Sequence, residues 1–538
     1  MKIDMKSPPF LLPHPRFLMA GIVVILTVNL SLKVPNPSLL GHLMGEKMSS
    51  FISSYWKYCF AFTTFIVVAL VWYFLYGHFC QEYDRKTHSQ VHHPGICRQI
   101  ISGDFSHNRK RNHLTPVQSR GRPNRRLHTA FGIDSAFTSL DVNYVGDFVQ
   151  KARQHVNLPP EKWRYVTAVV HETVAKWMEN GQVPAEFQPG RHTGIQINLT
   201  ALVQVLSLRI GLETMFDPRT RKDASDEDVL KLAQAINSTW IDSKHQDAIG
   251  DGITKFDEND ILKDSLAALF YAPGERTGNP LNWILPSFET LWRIVLCAFI
   301  EIRFMTGLEQ PEWSSVLTAF AKAPTGAQFE LRPVQDALGF SFQNHGDSST
   351  LSKCPSAKDI VMECLRLYPP TRRIYRAHCG RNSGVDSQYS MVAADIEACH
   401  LRKDIWGPDA ETFNPHRLVS QTSEQKEAFM PFGARPFECP ARAVFGPRMI
   451  GILVGGLLTA LDTEPAKKMD WRVECKNEQV LKTAAKREDI GGPGNPQRSE
   501  VSRLLDMEFT ESRMRRRDKD TGQKGYLAQY ITIHNQRS

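Results

Sequence analysis

Hydrophobic patterning divides the chain into an apolar front and a long helical remainder. Two apolar stretches open it. Phe17 to Leu32 is short and interrupted by Thr27, Asn29 and Ser31, whereas Cys59 to Tyr76 carries no charge and approaches the roughly 20 residues that cross a bilayer. The second stretch is the safer membrane span, and its length behind a long leader argues against a cleaved signal peptide. Lys2, Lys6 and Arg16 precede the first stretch, and Arg109, Lys110, Arg111, Arg120, Arg122, Arg125 and Arg126 follow the second. That asymmetry suits a hairpin with both flanks in the cytoplasm. A single span with a buried or interfacial first stretch satisfies the same pattern.

Beyond these stretches the period is mainly that of helices. Asn282 to Met305 is apolar nearly all round, as expected of a long helix through the middle of a large domain, with Pro286 bending it or marking its first turn. Ala357 to Leu367 predicts a helix that ends before Pro369-Pro370. Val444, Phe445, Met449, Ile450, Leu453 and Leu457 recur at helical spacing and predict another after Cys439. Gly and Pro around Ile490 to Pro496 mark a loop, and the closing YLAQYITIH alternates as a short strand pair does. No fixed-period repeat interrupts the chain. The organisation expected is an anchor over 1–80 with one or two transmembrane helices, a basic linker over 81–127, and one globular unit over 128–538.

Composition narrows the class. An apolar fraction of 42% and a charged fraction of 23% suit a folded protein rather than a disordered chain or a many-span transporter. The net charge of +8 is concentrated in the basic cluster, which reads either as a solvated loop or as a segment drawn to an anionic membrane surface. No groove-reading motif accompanies it, so nucleic acid is not expected as a partner. The ten cysteines include no CxxC pair, which disfavours a disulfide framework or a structural zinc site. Asn198 and Asn237 stand in N-x-[ST] triplets that go unused if the domain stays cytosolic.

The most informative stretch is Met430 to Ala441, MPFGARPFECPA, directly before the predicted helix. It places one thiol at a helix start, where unpaired N–H groups and the helix dipole stabilise a thiolate and lower its pKa. Pro440 fits the first helical position, which needs no donor. This loop resembles that of the cytochrome P450 family, F-x-x-G-x-R-x-C-x-G. Phe432 matches the leading Phe and Cys439 the iron ligand, while Arg435, Phe437 and Ala441 stand in place of the first Gly, the Arg and the last Gly. The form F-G-x-x-P-F-x-C-P-A is similar to one found among fungal members. With the loop Arg replaced, the resemblance assigns the contact to a haem propionate to Arg435 or to Arg376, after the Pro-Pro turn, and places Phe432 and Gly433 in the cofactor-binding loop.

Three further sets carry the resemblance. Glu363 and Arg366 form E-x-x-R on one helix face. In the family this pair is joined by an Arg from a later loop, here Arg417, in a buried triad that serves folding and haem retention. Glu289-Thr290 matches the acid–alcohol pair that relays protons beside the oxygen site, although Pro286 and Ser287 stand where Ala and Gly are usual. LHTAFGIDSAFTSLD resembles a region flanking the haem, where Phe131 and Phe137 face substrate or belong to the core. The family's W-x-x-x-R is missing, since Trp163 is followed four places on by Thr167, and the first subdomain looks abbreviated.

The resemblance implies a mostly α (α+β) haem-thiolate fold that binds haem b and inserts one oxygen atom from O2 into a lipophilic small molecule, in fungal secondary-metabolite biosynthesis. No G-x-G-x-x-G fingerprint is evident, so electrons are expected from NADPH through a separate NADPH–cytochrome P450 reductase, docked near basic residues such as Arg442 and Arg448. The expected location is the endoplasmic reticulum membrane with the catalytic domain facing the cytosol. Two rivals stay open: a haem-thiolate isomerase or dehydratase that needs no O2, and a membrane-anchored pseudoenzyme that binds ligand without turnover.

Overall fold

The structure, a computed structural model, describes residues 90–103, 114–180, 196–249, 253–271, 278–336, 339–341, 354–379, 389–462, 471–475 and 531–535. The chain divides into two units, Met1–Thr87 and His88–Ser538, and every described residue belongs to the second. The two apolar stretches and the loop at 490–496 lie outside the described residues.

The described unit is mostly helical with small sheets. Strand β1 (Gln90–Val91) leads into α1 (Pro94–Ser102), followed by the short α2 (Pro116–Gly121) and α3 (Arg125–Phe131). Next come α4 (Val142–Val156), α5 (Pro160–Asn180), strand β2 (Gln196–Asn198), α6 (Leu199–Met215), α7 (Asp226–Ile249) and α8 (Asp260–Leu269). The central helices are α9 (Leu281–Phe288), α10 (Leu291–Phe304) and α11 (Pro311–Lys322), trailed by α12 (Gly326–Glu330) and the hairpin of β3 (Val334–Asp336) and β4 (Gly339–Ser341). After α13 (Ala357–Leu367), strands β5 (Arg373–Cys379) and β6 (Tyr389–Asp395) pair antiparallel, with Arg376 opposite Val392. Helices α14 (Ile396–His400), α15 (Lys403–Trp406) and α16 (Ser423–Ala428) lead to α17 (Phe445–Asp462). Strand β7 (Trp471–Cys475) and the C-terminal β8 (Ile531–Asn535) complete a second sheet, ordered β2-β8-β7.

Helix α17 is the axis of the core. By length and composition it would suit a membrane, but it is largely buried among α5, α10, α11 and α13, as the central helix of a folded domain is. A side chain at Gly455 would come within 2.3 Å of the Leu317 carbonyl oxygen, so only glycine allows α17 and α11 to approach this closely. Helix α13 begins at a capping box in which the Ser356 hydroxyl accepts from the Asp359 N–H while the Asp359 carboxylate accepts from the Ser356 N–H.

Two expectations change. Residues 81–127 are not simply a basic linker: β1 pairs with β6 in parallel, Cys97, Ile100 and Ile101 of α1 lie in a core cluster, and Arg120 is itself buried. The apolar residues dispersed among the basic ones are enough to dock these short elements, so the globular unit starts well before residue 128. The long helix expected over 282–305 is two helices. Pro286 has no N–H to donate, and the Ser287 hydroxyl bonds the carbonyls of Trp283 (2.7 Å) and Ile284 (3.1 Å). The Glu289 N–H still donates to the Leu285 carbonyl at 3.1 Å as the last bond of α9, and α10 begins at Leu291 after Thr290.

Asn198 accepts from the Ala201 N–H as the cap of α6, and Asn237 accepts from Arg293, so both asparagines of the N-x-[ST] triplets are engaged inside the fold. Phe131 is fully buried, whereas Phe137 is at the surface beneath the Arg120 guanidinium.

Candidate haem-binding site

The cysteine loop doubles back on itself. Gly433, with φ +75°, makes the turn that a side chain would strain; its N–H donates to the Met430 carbonyl at 3.0 Å, and the Cys439 N–H donates to the Phe432 carbonyl at 3.0 Å. Phe432 packs onto the first turn of α17, where a Cβ on Gly446 would meet its ring at 2.9 Å. Cys439 does not open the α-helix itself, as the sequence suggests. It caps a short 3-10 turn, Pro440–Arg442, and α17 starts only at Phe445. The thiol accordingly lacks a full helix dipole: burial pushes its pKa up, and the Ala441 N–H and the Arg120 charge only partly offset that. Yet Cys439 keeps an exposed surface.

Two arginines far apart in the sequence flank Phe437 of this loop. Arg120 comes from the last turn of α2, which Thr115 and Gln118 cap reciprocally and which the Ser119 hydroxyl ties to the Ala377 carbonyl of β5 at 2.8 Å. Arg376 lies on β5 and donates to the Ile101 carbonyl (3.0 and 2.8 Å) and the Tyr375 carbonyl (2.9 Å). Both guanidinium carbons lie by the Phe437 ring, at 4.7 Å for Arg120 and 5.4 Å for Arg376. Both side chains are buried, and neither has a carboxylate partner among the described residues. Burial lowers Arg120 to about 10, against the pull of Cys439; burial and the neighbouring Arg120 lower Arg376 to about 9. Two buried cations with no carboxylate partner among the described residues, close to an exposed thiol, fit a ligand that carries two carboxylates and a metal that accepts a thiolate.

Arg435, the other residue expected to meet a propionate, is exposed. Arg120 was legible only as part of the basic cluster; the capping box around it was the signal that it belongs to a packed helix. Trp163 packs against the start of α17, with its ring 6.1 Å from that of Phe445.

Glu289 and Thr290 occupy the gap between α9 and α10. Glu289 is buried and ion-paired with Arg293 one turn on, while its Oε2 has no partner. Burial raises its pKa, with Arg293 and Lys244 pulling the other way. Burial, with Arg293 and Arg126 nearby, in turn lowers Lys244 to about 7. The Thr290 hydroxyl makes no hydrogen bond among the described residues, so it is available to a ligand or water.

Behind the loop, Glu363 and Arg366 are fully buried and bonded twice, Nη2 to Oε1 at 2.7 Å and Nε to Oε2 at 2.8 Å. Arg417 joins them through Nε to Glu363 Oε1 at 3.0 Å and also pairs with Asp409 at 2.9 Å. The carbonyls of His400, Ala410 and Thr412 take the remaining donors of Arg366.

Residues 339–487, which hold Glu363, Arg366, Arg376, Arg417 and Cys439, match the cytochrome P450 family profile. Over this segment the chain is similar to cytochrome P450 proteins. A putative cytochrome P450, cyp-13B1, of Caenorhabditis elegans is 28% identical over 145 residues, 26% of this chain and 28% of that protein. Cytochrome P450 52A9 of Candida maltosa is 29% identical over 173 residues, 30% of each. The matched segments span less than a third of the length of these curated relatives. A cytochrome P450 from Thermus thermophilus is similar at a TM-score of 0.39 and 14% identity, over 65% of this chain and 80% of that one.

Proposed function

We propose that this chain is a haem-thiolate monooxygenase that inserts one oxygen atom from O2 into a lipophilic small molecule. The observation that carries the reading is the juxtaposition of an exposed thiol at Cys439 with two buried guanidiniums, Arg120 and Arg376, that have no carboxylate partner among the described residues. Haem b fits that set: its iron would take the Cys439 sulfur, and its propionates would neutralise the two arginines. When bound, it supplies the activation of O2 and the electron transfer on which oxygen insertion depends.

The protein's own residues do the rest. The Ala441 N–H holds the Cys439 sulfur, and the Phe432 and Gly433 turn fixes where that sulfur points. Arg120 and Arg376 orient the macrocycle through charge. Thr290 presents a hydroxyl that would pass a proton onward, and Glu289, once it has left Arg293 and taken up a proton from solvent, would return one to that hydroxyl. The Glu363–Arg366–Arg417 network keeps the loop folded and supplies no chemistry.

In this reading the apolar stretches at 17–32 and 59–76 anchor the chain in the endoplasmic reticulum with the catalytic unit in the cytosol. Electrons come from NADPH through a cytochrome P450 reductase that docks near Arg442, which is exposed, and Arg448. A fungal secondary-metabolite pathway is the setting that the cysteine loop suggests. The test is co-expression of the full chain with such a reductase, followed by comparison of host metabolites. A new product heavier by one oxygen, dependent on reductase and O2, is the expected result. A product that needs neither would place the chain with the isomerases, and haem binding with no product from any lipophilic pool would favour a pseudoenzyme.

A further inference from the structure

One buried histidine lies between the ion-pair network and the cysteine loop. His400, at the end of α14, is fully buried. Its Nδ1 lies 2.9 Å from the Arg366 carbonyl oxygen, and its Nε2 lies 2.9 Å from the Met430 backbone nitrogen. A carbonyl only accepts and an amide N–H only donates, so Nδ1 must carry the ring proton and Nε2 must be bare. The two bonds together select a single neutral tautomer. Arg366 reciprocates by donating from Nη1 to the His400 carbonyl at 2.7 Å, and Phe429 stacks on the imidazole with centroids 5.4 Å apart.

Met430 is the first residue of the cysteine loop. Its carbonyl accepts from Gly433, and the Phe432 carbonyl accepts from the Cys439 N–H. An unbroken path of short contacts therefore runs from Arg366 through the imidazole into the loop that ends at the thiol. We propose that His400 is a positioning residue: as a neutral Nδ1–H imidazole it couples the Glu363–Arg366–Arg417 network to the cysteine loop and holds Cys439 where it can ligate iron. The coupling rests on the geometry just described, and its meaning for ligation rests on the haem-thiolate reading. Neutrality is secured by the surroundings, since burial and the adjacent Arg366 charge lower the imidazole to about 3. An ordinary space-filling core histidine would need neither bond.

Three variants of the full-length, haem-loaded protein separate these roles. His400→Gln keeps an acceptor for the Met430 N–H; His400→Asn reaches only the Arg366 carbonyl; His400→Phe fills the volume and makes neither bond. Two signals are read: amide hydrogen exchange across 430–439, and the share of reduced, carbon monoxide-bound protein with a thiolate-type Soret band. The Asn and Phe variants should exchange roughly tenfold faster in the loop and shift toward the band of a protonated thiol, with Gln restoring most of both. Wild-type behaviour in the Phe variant, or equal behaviour of Gln and Asn, would overturn the proposal.

If the wild type itself shows no thiolate band, the haem reading fails while the exchange comparison still judges His400. Should the Asn and Phe variants not fold, histidine-15N spectra of the wild type at neutral pH decide. One ring must be held as the neutral Nδ1–H tautomer, and its absence sinks the idea.

Discussion

Two groups of withdrawn arginines among the described residues, Arg366 with Arg417 and Arg120 with Arg376, are treated oppositely. Arg366 and Arg417 are saturated: Glu363 and Asp409 balance their charge, and backbone carbonyls take their remaining donors. Arg120 and Arg376 are equally withdrawn from water, yet no carboxylate meets either, and burial lowers both. A saturated network keeps a fold in place. A pair whose charge has no counter-ion, even where backbone carbonyls take its donors as at Arg376, costs stability, and in the proposed reading a ligand brings the missing charge.

That contrast is broken most severely at the saturated end. Glu363→Gln removes the charge that balances two guanidiniums and should cost about 3–5 kcal/mol in chemical denaturation, or prevent folding outright. Arg120→Leu should do the reverse. In haem-free protein it is expected to leave stability unchanged or raise it by about 1–2 kcal/mol, because a desolvated charge is removed, whereas haem should dissociate at least about tenfold faster. Equal destabilisation by both substitutions would erase the distinction between the two arginine sites.

A third substitution tests the chemistry without touching either network. Thr290→Ala should keep the haem spectrum and the stability of the wild type but lower product formed per electron consumed, by about tenfold or more. Unchanged coupling would remove Thr290 from proton delivery.

The smallest effect is expected at the start of α13. Burial raises the Asp359 carboxyl, but the bonds from Arg332 and Ser356 prevail and hold it below the usual carboxylate range. A group depressed in the folded state stabilises fully above its unfolded value, about 4, and that contribution is lost as pH falls through the folded one. Asp359→Asn should therefore cost about 1 kcal/mol at neutral pH, discounted because Arg332 is partly exposed, and should flatten the acid limb of the stability curve.

Much of this was legible in the residues. Ala357 to Leu367 forms the helix its periodicity predicts, because amphipathic spacing, a cap and Pro369-Pro370 all agree. The ordered residues Glu363, Arg366 and Arg417 meet in space as their motif implies. The proposed haem cradle was harder to read. Arg120 sits in a run of basic residues, and nothing in the run itself says which side chain turns inward; that depends on β5 packing against α2, more than 250 positions away along the chain. His400 is invisible for the same reason, since its partners are backbone atoms of Arg366 and Met430. The split of the 282–305 helix was half visible: Pro286 announced a disturbance, but α9 runs on to Phe288 before the break.

The most direct test of the central claim is the reduced, carbon monoxide-bound difference spectrum of the full-length protein and of Cys439→Ala. The wild type should show the thiolate-type Soret band, and the variant should lose it while still folding. A wild type that binds haem without that band, or a variant that retains it, would contradict Cys439 as the iron ligand.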